Sequence, residues 1–185
     1  MKPNEFLIHM PNNKNIVLRK LEADDFDKLF DYLQNLSTET KARFGPHLFD
    51  KQSILDFYHP QNRNTAFVGI DTQTQEIVAY SILKTGFIEK DKLRYEGYGI
   101  MLSITADVTF APSVADAWQG VGLGVQMFRY ILNSLQSTDI EKIILWGGVQ
   151  AGNQKAIRYY EKLGFKIYGE FERNGQNFDM MLSLI

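Results

Sequence analysis

Apolar residues recur along this chain at two spacings, and the changes of spacing mark out its elements. Residues 16–19 (Ile-Val-Leu-Arg) read as a first strand, from about residue 15, behind a polar lead-in over residues 1–15. Phe26, Leu29, Phe30, Leu33 and Leu36 then recur at helical spacing. Asp24, Asp25 and Asp27 suit the first turn of that helix, where negative charge meets the positive end of the dipole. Ser37 caps a short helix ending before Pro46, and residues 51–58 give another turn or two, stopped by His59-Pro60. Residues 65–70 and 77–83 are apolar runs joined by the polar stretch 71–76, a hairpin signal. The charged, glycine-punctuated stretch 86–99 predicts a mobile loop or a splayed hairpin end, and residues 100–114 return to the sheet.

Leu123, Met127, Phe128, Ile131, Leu132 and Leu135 form a second long helical stripe. A buried strand at 142–146 precedes a helix capped by Asn153 and ended by Gly164. Residues 165–171 and 178–185 are the last two strands, and Asn174-Gly175 between them is the strongest short hairpin signal in the chain. The order predicts an α/β fold with a mixed, mostly antiparallel sheet of about seven strands flanked by helices.

Gln119-Gly120-Val121-Gly122-Leu123-Gly124 falls where the strand ending near Val114 gives way to a helix. Glycines there let backbone N–H groups approach a ligand closely. The first turn of a helix carries N–H groups without internal partners, so an anion, typically a phosphate, fits. The alternative is a tight turn with no ligand. A dinucleotide loop fits poorly, because Gly-x-Gly-x-x-Gly and an acidic residue ending the next strand are both missing: the glycines alternate and that strand runs into Trp146-Gly147.

Two motifs together resemble the GNAT superfamily of acetyl-CoA-dependent N-acetyltransferases. Gln119-x-x-Gly122-x-Gly124 resembles its pyrophosphate loop, and Asn153 with the run Tyr160-Glu161-Lys162-Leu163-Gly164-Phe165 resembles its second motif. The likeness is closest from about Thr109 to Phe165. It implies one N-acetyltransferase domain over residues 1–185, with the fourth and fifth strands splayed and the pantetheine arm of acetyl-CoA lying in the gap. On that resemblance Pro112, Ser113 and Val114 meet the pantetheine, Pro112 lacking a ladder donor. Gln119, Gly120, Val121, Gly122, Leu123 and Gly124 cradle the pyrophosphate, Asn153 contacts the pantetheine end, and Tyr160 is the general acid for the departing thiolate. A phenol with a pKa of about 10 is protonated at neutral pH and can donate. The region between the first two strands shapes the acceptor pocket in such proteins, which makes Arg43, Phe44, His47 and Tyr58 acceptor candidates.

Departures from the family pattern matter too. Gly120 and Val121 stand where many relatives carry Arg or Lys, so the backbone must do more of the binding. Lys155 and Arg158 could meet a phosphate but read first as solvated charge. Thr109 and Gly148 stand where relatives carry carboxylate bases. That leaves water, Glu96, Asp107 or Asp116 to take the amine proton, with none assigned. It also keeps open a non-catalytic acyl-CoA-binding sensor or scaffold on the same fold.

Composition narrows the rest. No run of about 18 apolar residues or secretory leader is visible, so no membrane partner and a cytoplasmic location are expected. Cysteine is absent, which rules out disulfides and thiolate chemistry, and His9, His47 and His59 lack ligand spacing, so no metal is expected. A net charge of −2 argues against a nucleic-acid partner. The expected partner is an amine-bearing acceptor, small molecule or protein, with a homodimer left open. Residues 36–44 resemble a segment of GNAT domains related to bacterial protein-lysine acetyltransferases, a pointer toward protein or polyamine acceptors.

Overall fold

The computed structural model describes residues 5–11 and 13–185. Its strands are β1 (Phe6–His9), β2 (Asn15–Lys20), β3 (Asn64–Asp71), β4 (Ile77–Thr85), β5 (Asp107–Val114), β6 (Lys142–Leu145), β7 (Val149–Gln150), β8 (Lys166–Glu172) and β9 (Gln176–Ser183). The helices are α1 (Phe26–Asn35), α2 (Thr38–Arg43), α3 (Lys51–Phe57), α4 (Glu89–Gly97), α5 (Leu123–Leu135) and α6 (Gln154–Lys162). Strand order is β1-β2-β3-β4-β5-β6-β9-β7, with β8 on β9. The sheet is mixed: β5 and β6 run parallel, and the pairs β1–β2, β2–β3, β6–β9, β7–β9 and β8–β9 run antiparallel.

Among the described residues nine strands stand where about seven are expected. The polar lead-in carries a strand of its own, because β1 pairs with β2 from Phe6↔Leu18 to His9↔Asn15. Residues 1–4 and 12 of that lead-in lie outside the described residues. β7 is too short for a periodic signal and exists through its pairing Val149↔Phe178 and Gln150↔Asn177. The stretch read as a loop over 86–99 contains α4. The strand expected over 100–114 begins only at Asp107, after a turn in which Ser103 N–H donates to Asp107 Oδ2 at 2.7 Å.

The chain clusters into two compact units. The first holds the residues through Ile82 and Ala111–Gln136. Its core includes Ile16 and Leu18 of β2, Leu29 and Leu33 of α1, Ile54 of α3, Val68 of β3 and the inward stripe Leu123, Met127, Phe128 and Ile131 of α5. Asp25, expected as a dipole partner, is instead buried, accepts two hydrogen bonds from the Arg19 guanidinium (2.6 and 2.7 Å) and a third from Glu22 N–H. Ser37 caps α2 as expected, accepting from Thr40 N–H at 3.2 Å.

The second unit holds Leu83–Phe110 and Ser137–Ile185. Tyr95, Ile144 and Met181 are buried together, with Phe87, Tyr98, Ile100 and Leu102 packed against them. Tyr95 comes from α4, and its burial explains why a helix forms without an apolar stripe. Arg94 of the same helix ties it to β9 by a two-pronged pair with Asp179 (2.8 and 2.9 Å), and also bonds Asp91 at 2.9 Å. Asn174 and Gly175 both adopt positive φ, 51° and 102°, the geometry a tight hairpin needs between β8 and β9.

Candidate active site

The glycine turn lies in the first unit and forms as its sequence requires. Gly120 and Gly122 have φ of 81° and 91°, a region other residues enter only with strain. A methyl group built on either would meet open space. Gly122 opens α5 without a side-chain cap, and the first turn of α5 carries no acidic residue. Leu123, fully buried, fixes that turn to the core, while Gly120, Val121 and Gly122 face solvent. The positive end of the helix dipole is therefore presented to solvent by glycine backbone and not neutralised by a carboxylate of its own first turn.

Gln119 braces this turn. Its Nε2 donates to Val114 O at 3.1 Å and to Thr40 Oγ1 at 3.4 Å. Asp116 lies beside it and is committed to α2: its carboxylate accepts from Ser37 N–H (2.9 Å), Ser37 Oγ (2.8 Å) and Thr40 Oγ1 (2.7 Å). Burial works to raise its pKa, but the hydrogen bonds from Thr40 and Ser37 outweigh it and hold the carboxyl below its ordinary value. That makes Asp116 a weak proton acceptor.

Along β5, Pro112 and Val114 are half-buried and Ser113 between them points inward. The Ser113 hydroxyl is buried against the Tyr32 hydroxyl at 2.5 Å. Its side chain is thus occupied within the protein, and only its backbone remains to serve a ligand. In the second unit the parallel register of β5 with β6 runs from Asp107↔Lys142 to Phe110↔Leu145. Trp146 N–H still donates to Phe110 O at 2.9 Å. β6 ends at Leu145, whereas β5 runs on through Pro112 to Val114.

The second unit also carries Asn153 and Tyr160. Asn153 caps α6, accepting from Ala156 N–H at 3.2 Å. Tyr160 is half-buried, its ring packed at 5.5 Å from Phe165 and 5.2 Å from Tyr159. Burial raises its pKa above the phenol value, so the hydroxyl stays protonated at neutral pH and keeps a proton to give. Gly164, with φ of 91°, closes the helix: Phe165 N–H donates back to Tyr160 O at 3.0 Å.

The two positions without a carboxylate have structural explanations. Thr109 is fully buried and its hydroxyl donates to Gly86 O at 2.8 Å. Gly148 has φ of 74°, and a Cβ there would come within 2.7 Å of Phe178 O and 2.8 Å of the Phe171 ring, so no acidic side chain fits. Asp107 is fully buried against Lys142 at 3.2 Å. Among the described residues no three His, Cys, Asp or Glu side chains gather as a metal site, and no helix is long and apolar enough to cross a membrane.

Of the acceptor candidates, Arg43 pairs with Glu39 at 2.6 Å. Phe44, His47 and Tyr58 surround Tyr80 of β4, a cluster whose centre the sequence reading did not single out.

The family model described as "Acetyltransferase (GNAT) family" matches residues 30–165. The chain belongs to the GNAT acetyltransferase family. Among curated proteins it is 26% identical over 149 residues to the L-methionine sulfoximine/L-methionine sulfone acetyltransferase of Pseudomonas aeruginosa, covering 73% of this chain and 86% of that one. A second acetyltransferase of the same description, from Pseudomonas paraeruginosa, is 27% identical over 108 residues, 57% of this chain and 62% of the relative. Among solved structures the GNAT domain of S. lividans PAT superposes with a TM-score of 0.72 at 18% identity, covering 97% of both chains. Aminoglycoside acetyltransferase AAC(6')-Ib in complex with coenzyme A gives 0.66 at 20% identity, covering 91% of this chain and 95% of that one. These likenesses establish the GNAT fold, and with the family match this GNAT protein is an N-acetyltransferase.

Proposed function

We propose that this enzyme moves the acetyl group of acetyl-CoA to a primary amine by direct attack of the amine on the thioester, and that residues 1–185 act as one N-acetyltransferase domain. The observation that carries this reading is the glycine turn: two positive-φ glycines facing open space at the uncapped start of α5. Backbone N–H groups from Gly120 to Gly124 hold the coenzyme's diphosphate, with the Gln119 side chain serving as a brace and not as a ligand. The backbone of Pro112, Ser113 and Val114 accompanies the pantetheine, and Asn153 meets its far end.

In the reaction the amine lone pair forms a C–N bond to the thioester carbonyl carbon, and the C–S bond breaks with its electron pair on sulfur. Tyr160 donates its hydroxyl proton to that thiolate and regains one from solvent, while the attacking nitrogen gives up a proton as the amide forms. Positioning of the two reactants supplies much of the remaining rate. Small-molecule amines are the favoured acceptors: the curated relatives are named for acetylating amino-acid analogues, and one structural neighbour for acetylating aminoglycosides. This reading puts small amines ahead of the protein or polyamine acceptors that residues 36–44 point toward.

The test is release of free thiol on mixing the enzyme with acetyl-CoA and a panel of amino acids, their sulfoximine and sulfone analogues, aminoglycosides and polyamines. Amine-dependent thiol release supports the reading. Tight coenzyme binding with no release on any amine refutes it in favour of a binding protein on the same fold.

A further inference from the structure

Tyr80 sits in the middle of β4 and is fully buried, yet its hydroxyl is shared between two partners. It lies 2.9 Å from His47 Nε2 and in hydrogen-bond contact with the Tyr58 hydroxyl. His47 Nδ1 lies 2.7 Å from Leu48 O. A carbonyl only accepts, so Nδ1 carries the hydrogen; in a neutral imidazole Nε2 is then the acceptor. Tyr80 must therefore donate to His47, and its oxygen is left to accept from Tyr58. All three groups point their protons one way: Tyr58 to Tyr80, Tyr80 to His47.

The two ends of this row differ from its middle. Tyr58, at the C-terminal end of α3, and His47, in the loop before α3, are half-buried, while Tyr80 between them is sealed from solvent. Around His47 stand the Phe57 ring at 4.6 Å, the Phe49 ring at 6.2 Å, the Leu48 carbonyl and the more distant Asp50. Asp50 is itself occupied by Ser53 N–H and Oγ at 2.9 and 2.7 Å. Burial outweighs the carbonyl and that carboxylate and holds the imidazole pKa below its ordinary value, so the ring is neutral and free to accept at pH 7. The row also reaches β5. Tyr32 packs edge-on to Tyr80 at 6.3 Å and bonds the Ser113 hydroxyl, on the strand assigned above to the pantetheine arm.

We propose that Tyr58, Tyr80 and His47 form a proton relay that takes the proton given up by the acceptor amine, with His47 Nε2 as its terminus. The inference rests on the acetyl-transfer reading above. As the C–N bond forms, an amine N–H bond breaks, its electron pair stays on nitrogen and its proton goes to Tyr58 O. The proton already on Tyr58 passes to Tyr80 O, and that on Tyr80 passes to Nε2, leaving an imidazolium. The imidazolium keeps its Nδ1 hydrogen on the Leu48 carbonyl and gives its Nε2 proton to water when the half-buried ring swings away from Tyr80, and rotation of the two hydroxyls restores the starting order. Tyr58 is the catalytic residue of the three; Tyr80 and His47 act through it.

The relay is tested first without substrate. Nitrogen-15 NMR of the apo enzyme at pH 7 should show the His47 ring protonated on Nδ1 and bare on Nε2, and Tyr80→Phe should shift the Nε2 signal. A ring protonated on Nε2 overturns the relay. With an amine that the enzyme acetylates, Tyr80→Phe and His47→Gln should each lower kcat by roughly 10²-fold, the lower end of what a positioned proton acceptor contributes. The coenzyme KM should be unchanged, and the fall in rate below neutral pH that tracks His47 should vanish. Wild-type kcat and pH profile in both variants would overturn the proposal, as would losses that only follow a lower melting temperature. Absence of turnover in the wild-type enzyme counts against the acetyl-transfer reading, while the NMR result stands apart from it.

Discussion

Replacement of Gly122 separates the backbone's role from the ligand's. At φ of 91° any side chain costs roughly 1–2 kcal/mol in the folded state. Nothing lies within 4 Å of a Cβ there, so no clash adds to it. In a chain of this size 1 kcal/mol moves the melting temperature by about 2–4 °C, so Gly122→Ala and Gly122→Glu should both melt roughly 2–8 °C lower. Their coenzyme affinities should diverge. The Ala methyl intrudes into the space assigned to the diphosphate and costs affinity about tenfold. The Glu carboxylate adds like charge: two unit charges about 4 Å apart near a protein surface repel by about 4 kcal/mol. That is worth about 10³-fold in the dissociation constant. Calorimetry with coenzyme A on the three proteins, beside thermal melts without ligand, reads both effects. If Gly122→Glu melts lower but binds coenzyme A within about threefold of wild type, the diphosphate does not sit at this turn.

Tyr160→Phe removes one hydroxyl from a ring held by Phe165 and Tyr159, so coenzyme binding should stay the same while kcat falls at least tenfold; stopped assays of thiol release beside calorimetry check this. Arg94→Met leaves Asp91 and Asp179 buried without their shared cation and should cost roughly 3–5 kcal/mol, visible as a large drop in denaturation midpoint. Because burial lowers the folded-state pKa of His47, the unfolded chain takes up its proton first as pH falls. The resulting stability is complete above about pH 6.5 and is lost below it, by at most about 1.4 kcal/mol per pH unit, until the folded-state value is passed. The difference between wild type and His47→Gln in urea titrations across pH 5–8 isolates this slope, and parallel curves would contradict it.

How much of this was visible in the chain depended on whether each feature is local. α5 carries its own apolar stripe and opens on its own glycines, so its place and the anion-ready turn could be read directly. The Asn174-Gly175 hairpin is equally self-contained. α4 is not: Leu93 is 77% exposed, and what holds the helix is Tyr95 in the core and Arg94 on Asp179, a partner 85 positions away. β1 shows outward Phe6 and His9 and exists because β2 pairs with it. The same distinction runs through the site. The backbone features of Gly120 and Gly122 follow from sequence, but the Ser113 hydroxyl belongs to Tyr32, 81 positions away. Tyr80, the centre of the buried hydroxyl row, looks in sequence like any strand residue.

The positions that lack a usable carboxylate base each have a structural reason. Thr109 holds the Gly86 carbonyl, Gly148 has no room for a side chain, and Asp107 neutralises Lys142. Asp116 pins α2 to the turn after β5. Each of these four positions is taken up by the structure around it. Restoring a carboxylate would therefore not repair the chemistry. Thr109→Glu would bury a larger, charged group at a site with no exposure, and burial would push its pKa up toward the protonated form, which accepts no proton. The neutral imidazole of His47 faces no such conflict, since burial favours the form that accepts a proton. Proton removal on this scaffold is better served by a group that burial keeps in its proton-accepting form than by one that burial keeps protonated.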